Sequence, residues 1–305
     1  MISDARLALV EFWTAPVRGS SAALFRVSYG ALSIWTAIGV LLNLERYYTD
    51  AGMLPWTAVQ HAPEQLYSLF SLAPHSTALV WAVGLVFLLA SVSLTVGFWS
   101  RTSALLIFVA NVALQHRNPY ALNSGDRLFL VLALLGALLP LGMRFSVDAW
   151  RAKTHGEKPT RSAGSIWSQR LIALQIAYVY WYSFAAKLKF EAWQQGTALR
   201  DVLASPVFSE WPTQVNSSAL IAVLTWSTLA FELMFPILVW ETRLRPYVLA
   251  AGALLHLGIE ITLTIPIFSA IMLVSYSCFL SDDETERLLG IGRRSRLRLG
   301  RSQSW

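Results

Sequence analysis

Several polar side chains stand where lipid-soluble sequence should not tolerate them. Lys187 ends the uncharged run Leu171–Ala186, LIALQIAYVYWYSFAA. An ammonium there is costly unless it reaches water or finds a partner. Residues three and four apart share a helix face, so Tyr180, Ser183, Lys187 and Glu191 form one polar stripe. Two readings of Lys187 stand side by side. It snorkels to the headgroups with Lys189, paired to Glu191 at the surface. Or it does chemistry there, as a base or a cationic anchor, since desolvation is the general route to a lysine base. His256 and Glu260 share a second face. His256 lies roughly 15 Å from the inner end of its helix at 1.5 Å per residue. It reads as a hydrogen-bonded core histidine, a proton carrier or a ligand-binding group, with Glu260 placed to orient it. Arg26 and Glu232 sit at matching depth inside apolar runs and are expected to form a structural ion pair. In HRNPYALNSGDR (His116–Arg127), Asn118 belongs to a loop dense in hydrogen-bonding groups. That loop is either a folded turn with Asp126 capping the next helix, or a polar lid over an outward cavity.

The elements that must hold these residues are membrane helices. Of 305 residues, 55% are hydrophobic and 14% charged, well below the charge of a soluble domain. The 13 Trp and 10 Tyr suit the two headgroup belts. Apolar runs of spanning length place about eight helices. They are Ala22–Asn43, Thr77–Phe98, Ser103–Gln115 with its flanks, Leu128–Met143, Leu171–Ala186, Ser218–Trp240, Tyr247–Leu263 and Ile267–Leu280. The last two are split only by Thr264–Pro266, so a seven-helix count with one broken span is the alternative. The fold class is an all-α polytopic helix bundle.

Lys and Arg cluster after the fourth and sixth helices and in the tail, which places both termini in the cytoplasm. Lys187 then faces outward. Residues 1–18 read as an interfacial amphipathic helix with no cleavable signal, and residues 19–282 as the membrane domain. Residues 283–305 form a basic tail, and from Ser281 on the chain reads as mobile and without a folded domain. The net charge of +6 is spread over short loops and the tail, so nucleic acid is not the expected partner; the bilayer is. A single cysteine, Cys278, excludes an internal disulfide. No phosphate loop, metal-ligand spacing or serine nucleophile elbow is present, and the five histidines are scattered. No metal is expected. A transporter reading lacks an inverted repeat.

Six segments in order carry a family resemblance: SSAALFRVSYG from Ser20, ERYYTDAGMLPW from Glu45, NPYALNSGDRLFL from Asn118, AAKLKFEAWQQGTAL from Ala185, FELMFP from Phe231 and HLGIEITLTIPIFS from His256. Together they resemble the horizontally transferred transmembrane (HTTM) family, which includes the vitamin K-dependent gamma-carboxylases, over roughly residues 15–282. The resemblance implies a membrane enzyme that uses a quinol such as reduced vitamin K, with its site open to the outer face. It implies Lys187 as the base, allowing one extra residue before Trp193, and His256 as a second catalytic residue. Tyr180, Asn118, Trp193 and Glu260 are the expected substrate- or cofactor-binding set. Glu232 and Arg26 match an acid and an arginine of the family motifs. The carboxylases have an Asn/His segment where this chain has Asn118–Asp126, but His116 is displaced from it. The carboxylases also carry a large outer domain after the helices. Here only residues 281–305 follow the last expected span, so carboxylation guided by a propeptide is not expected. Other bacterial members of the family are small integral membrane proteins, and some take part in maturing secreted peptide toxins, which makes an accessory role in peptide maturation or export the alternative. The expected location is the bacterial plasma membrane.

Overall fold

The computed structural model describes residues 2–61, 68–156, 164–209 and 211–291. Expectations that rest on Lys158, Arg161 and the arginines from Arg293 onward lie outside the described residues. The chain divides into two compact units, one within Met1–Arg170 and Leu280–Trp305, the other within Leu171–Phe279. The all-α expectation holds, save for one two-residue strand pair, Pro16–Val17 antiparallel to Gly164–Ser165.

The first unit holds α1 (Ile2–Thr14), α2 (Ser20–Leu42), α3 (Leu44–Tyr48), α4 (Trp56–Val59), α5 (Thr77–Val96), α6 (Ser100–Arg117), α7 (Ser124–Gly136) and α8 (Val147–Thr154). Helix α2 packs on α5, α5 on α6, and α6 on α7. Close approach of α2 to α5 needs Gly30, because a Cβ there would lie 2.9 Å from the Thr95 Cα. The core between them is a stack of Phe25, Tyr29 and Phe129, with the Tyr29 hydroxyl donating to the Phe129 carbonyl at 2.9 Å. On α5 the buried residues Val80, Val83, Phe87, Ala90 and Leu94 mark one face at helical spacing, while Leu85, Leu89, Val92 and Val96 point outward. A helix apolar on both faces belongs in lipid or in a deep core.

The second unit holds α9 (Trp167–Lys187, which begins in the first unit), α10 (Glu191–Gln194), α11 (Ala198–Ala204), α12 (Ser218–Leu238), α13 (Arg245–Thr262) and α14 (Phe268–Ser275), the last continuing as a 3-10 turn over Tyr276–Phe279. Its centre is aromatic. The Tyr180 ring lies 4.1 Å from Phe235, and Phe235 contacts Tyr276 and Phe279 at 5.7 and 5.5 Å.

Among the described residues, three helices are long and apolar enough to cross a membrane: Ser20–Leu42, Thr77–Val96 and Ser218–Leu238. Only 33%, 39% and 28% of their apolar windows are buried within the protein, which leaves apolar surface of the kind that suits lipid. Two expected spans are shorter than the apolar runs suggested. Helix α7 stops at Gly136, ahead of Pro140, and the chain turns through Gly142 and Arg144. Beyond it, α14 gives way to the tighter 3-10 turn after Ser275.

The segment after Ser281 differs from the mobile tail expected. Ser281 caps α15 (Asp282–Leu288) in a reciprocal box with Glu284. Asp282 then serves as the N-terminal cap of α2, which has no side-chain cap of its own. Its Oδ1 accepts from the backbone of Ser20 at 2.6 Å and Ser21 at 3.1 Å, and its Oδ2 from Arg18 at 2.5 Å. Glu286 pairs with Arg144 and accepts from the Ser20 hydroxyl at 2.8 Å.

Candidate functional site

The face of α9 that carries Tyr180, Ser183 and Lys187 points into the second unit. From Tyr180 to Lys187 is seven residues, roughly 10 Å along the axis. At the far end, Lys187 Nζ donates to Ser183 Oγ at 2.7 Å and to Glu232 Oε1. Ser183 Oγ donates to the same carboxylate oxygen at 3.0 Å. Glu232 projects from α12 with a side chain 7% exposed, while that of Lys187 is 23% exposed. The Trp193 ring, on α10, lies with its centroid 5.0 Å from Nζ, within cation–π reach. The lysine is thus held at four sides: two acceptors, one ring, and the turn of α9 itself. Phe190, in an extended conformation between α9 and α10, sets the turn that brings Trp193 over Nζ.

At the near end, the Tyr180 hydroxyl lies 2.8 Å from His256 Nε2 and 2.5 Å from the Tyr276 hydroxyl. All three are buried. Gly252, one turn before His256 on α13, makes room for them: a Cβ there would lie 2.1 Å from the Tyr276 hydroxyl and 3.1 Å from Phe231. Three buried polar atoms of this unit have no hydrogen-bond partner among the described residues: Glu232 Oε2, His256 Nδ1 and Ser269 Oγ. Each unmet buried polar group calls for an explanation.

Of the expected residues, the structure brings Lys187 together with Trp193, and Tyr180 with His256. Four expectations need correction. The acidic partner of Lys187 is Glu232 on another helix, not Glu191, whose Oε1 accepts from Gln195 at 2.5 Å. The Arg26–Glu232 ion pair does not form. Arg26, in the first unit, is fully buried and donates to the carbonyls of Leu141 at 2.7 Å, Arg144 at 3.1 Å and Phe145 at 2.5 Å. Those carbonyls lie in the turns after α7, where no helix partner satisfies them. Glu260 is exposed and makes no hydrogen bond to His256, whose Nδ1 has none. Asn118 belongs to the first unit, where its amide donates to the Tyr47 carbonyl at 3.0 Å.

One residue of this cluster, Tyr276, carried no sequence signal strong enough to be named, and Ser269 entered only as the last residue of the segment HLGIEITLTIPIFS. The available signal was the spacing of Ser269, Met272 and Tyr276, one buried face of the last apolar segment.

In the first unit the loop near Asn118 is closed by Asp50. Its carboxylate accepts from the Trp56 backbone at 2.7 Å, from buried Arg117 at 3.3 Å and from His75. Burial alone would raise the Asp50 carboxyl, but the bonds from His75 and Trp56 and the Arg117 charge outweigh it and hold the group below its ordinary value. Asn123, not Asp126 alone, caps α7, in a reciprocal box with Asp126.

The family model of the HTTM domain matches residues 14–283. Two proteins of Bacillus subtilis (strain 168) are similar to the chain. One is the sporulation-delaying protein SdpB, 25% identical over 205 residues, which cover 64% of this chain and 62% of SdpB. The other is the uncharacterized protein YitO, 23% identical over 256 residues, covering 80% and 82%. The match thus spans less than two thirds of SdpB. No solved structure matches the chain.

Proposed function

The chain belongs to the HTTM-domain family, and from that premise we propose that it is a multi-pass protein of a bacterial plasma membrane whose second unit does acid–base chemistry. In this reading about eight helices cross the bilayer, both termini are cytoplasmic, and Lys187 lies toward the outer face. The observation that carries the proposal is the Lys187–Ser183–Glu232 cluster, an ammonium locked to a carboxylate inside apolar helices.

A base must first be free of its proton. Glu232 Oε1 touches Nζ and is the acceptor to which that proton passes, leaving a neutral amine facing the Trp193 ring. The amine then takes a proton from an acidic C–H or O–H of the substrate and is again an ammonium, and Glu232 gives its proton to the product or to water, which restores the ammonium–carboxylate pair. Ser183, bonded to both groups, keeps them aligned while the proton moves.

The quinol implied by the family resemblance suits the unmet acceptor here. Glu232 Oε2 has no donor, and a quinol hydroxyl is one. Such a group, when bound, supplies reducing equivalents.

The test is Lys187→Ala, measured by mass spectrometry of the lipid-soluble and secreted-peptide pools of cells making the wild type or the variant. Loss of a wild-type product with the variant still folded in the membrane is expected. A product pool identical to wild type sinks the reading.

The similarity to SdpB, together with the family's part in peptide maturation, supports a second reading. There the chain is a non-catalytic accessory factor for maturing or exporting a secreted peptide, with Lys187 an anchor. Co-purification of a partner and full function of Lys187→Arg separate it from the first, because arginine anchors but does not deprotonate.

A further inference from the structure

The hydrogen-bond chain Tyr276–Tyr180–His256 has a direction, and counting protons finds it. Tyr180 has one hydroxyl proton and two neighbours, His256 Nε2 at 2.8 Å and the Tyr276 hydroxyl at 2.5 Å. Suppose Tyr180 donates to Tyr276. Then the neutral imidazole must carry its proton on Nε2 to reach Tyr180. The Tyr276 proton then has no acceptor among the described residues, and His256 Nδ1 is a bare acceptor with no donor. Two buried groups are unmet. Suppose instead that Tyr276 donates to Tyr180 and Tyr180 to Nε2. Both hydroxyl protons are used, and the imidazole carries its own proton on Nδ1. One group is unmet, and it is a donor. The second arrangement is favoured, since each unmet buried polar group is costly.

The ring that carries that donor packs against the start of α14. The His256 ring sits edge-on to Phe268, the first residue of α14, with centroids 5.6 Å apart. The next residue is Ser269, 2% exposed, whose hydroxyl is also without a partner. The helix has no side-chain cap: its cap position is Ile267, held in the left-handed region at φ 68°. A branched side chain rarely adopts that conformation, and such outliers gather at functional sites. The first backbone N–H groups of a helix have no partner within it, and the helix dipole favours negative charge there.

We propose that the start of α14 binds a carbonyl or carboxylate oxygen of a membrane-soluble ligand, held by His256 Nδ1–H, the Ser269 hydroxyl and the α14 N-terminus. Tyr276 is a positioning residue: acting through Tyr180, it fixes the imidazole as the Nδ1–H tautomer. The inference does not use Lys187, and it stands whether or not that residue is a base.

The experiment uses the full chain in lipid nanodiscs with 15N-labelled histidine, read by NMR. The His256 signals are identified by their loss in His256→Gln. The expected result is a protonated Nδ1 and a bare Nε2 in the wild type, with Tyr276→Phe giving a mixture of tautomers while the other histidine signals stay in place. Decanoate or 2-undecanone, as carboxylate and ketone probes, should each be titrated against the Nδ1 signal, with decane as the apolar control. A response to decanoate alone marks a carboxylate site, and to 2-undecanone alone or to both a carbonyl-accepting one; each supports the proposal. Ser269→Ala should weaken the response about tenfold, as one lost hydrogen bond implies. A proton on Nε2 in the wild type overturns the proposal. So does silence toward both oxygen probes, an equal response to decane, or a wild-type titration by Ser269→Ala. Because the readout is a nitrogen of His256 rather than a product, failure here is distinct from failure of the Lys187 test.

Discussion

Lys187 and Glu232 hold each other at a depth where neither has much water. The carboxylate side chain is 7% exposed and the lysine 23%. Removing one member strands the other, which costs more than removing both. Glu232→Leu is therefore expected to destabilise the folded chain by about 1–3 kcal/mol. Lys187→Met combined with Glu232→Leu should recover part of that loss. Thermal melting of the two variants in the same detergent checks it; equal melting of single and double variants contradicts the pairing. Asp50 makes a different prediction, set by pH. Its carboxyl is held below the ordinary value, so its contribution is fully present above the unfolded carboxylate range, near 4. That contribution is lost as pH falls through the depressed folded value. Protease cutting near Asp50 should therefore rise below about pH 4. Asp50→Asn should raise it at neutral pH and flatten the profile. The polar stripe of Tyr180, Ser183 and Lys187 was legible in the sequence because it lies on one helix, where spacing alone decides neighbours. The choice of Glu232 over Glu191 was not legible. It depends on how α12 packs against α9, forty-five residues away in the chain.

The elements follow from apolar runs, and their ends follow from local chemistry. The runs at Thr77, Leu171 and Ser218 begin and end within a few residues of the helices they predicted. Where the runs misled, a specific residue explains it. Pro140 lies in the run read as the fourth span, and α7 ends before it. Asp282 was read as part of a mobile tail, yet its carboxylate caps a helix more than 260 residues earlier. No local pattern announces a cap supplied from so far away. Asp282→Ala should cost about 1 kcal/mol, the usual worth of an N-terminal cap, seen as earlier unfolding of α2 by hydrogen exchange. Gly252 is where α13 packs closest on the site. Gly252→Ala must push the Tyr276 hydroxyl away. The expected outcome is a folded protein with altered His256 nitrogen signals, and unchanged signals contradict the packing described.

The whole molecule is a helical membrane protein of the HTTM family. Three helices have the length and apolarity of spans by themselves; the remaining crossings are part of the proposal. Cysteine labelling tests them. Cys278 is buried, so Cys278→Ala gives a background for single cysteines at Lys189 and His155. Impermeant reagent applied to intact cells should label position 189 and not position 155. Labelling of 155 from outside overturns the orientation. Fold class was legible at this scale because composition alone demands lipid. The function was less so: the resemblance implies a base and a cofactor class, while the geometry shows Glu232 as the partner of Lys187. The central claim is that Lys187 moves a proton through Glu232 rather than serving as a fixed charge. The most direct measurement compares Lys187→Arg with the wild type by mass spectrometry of the lipid-soluble and secreted-peptide pools. The account predicts that Lys187→Arg, folded and in the membrane, loses the wild-type product, because arginine keeps its proton. A wild-type product level from Lys187→Arg would contradict it.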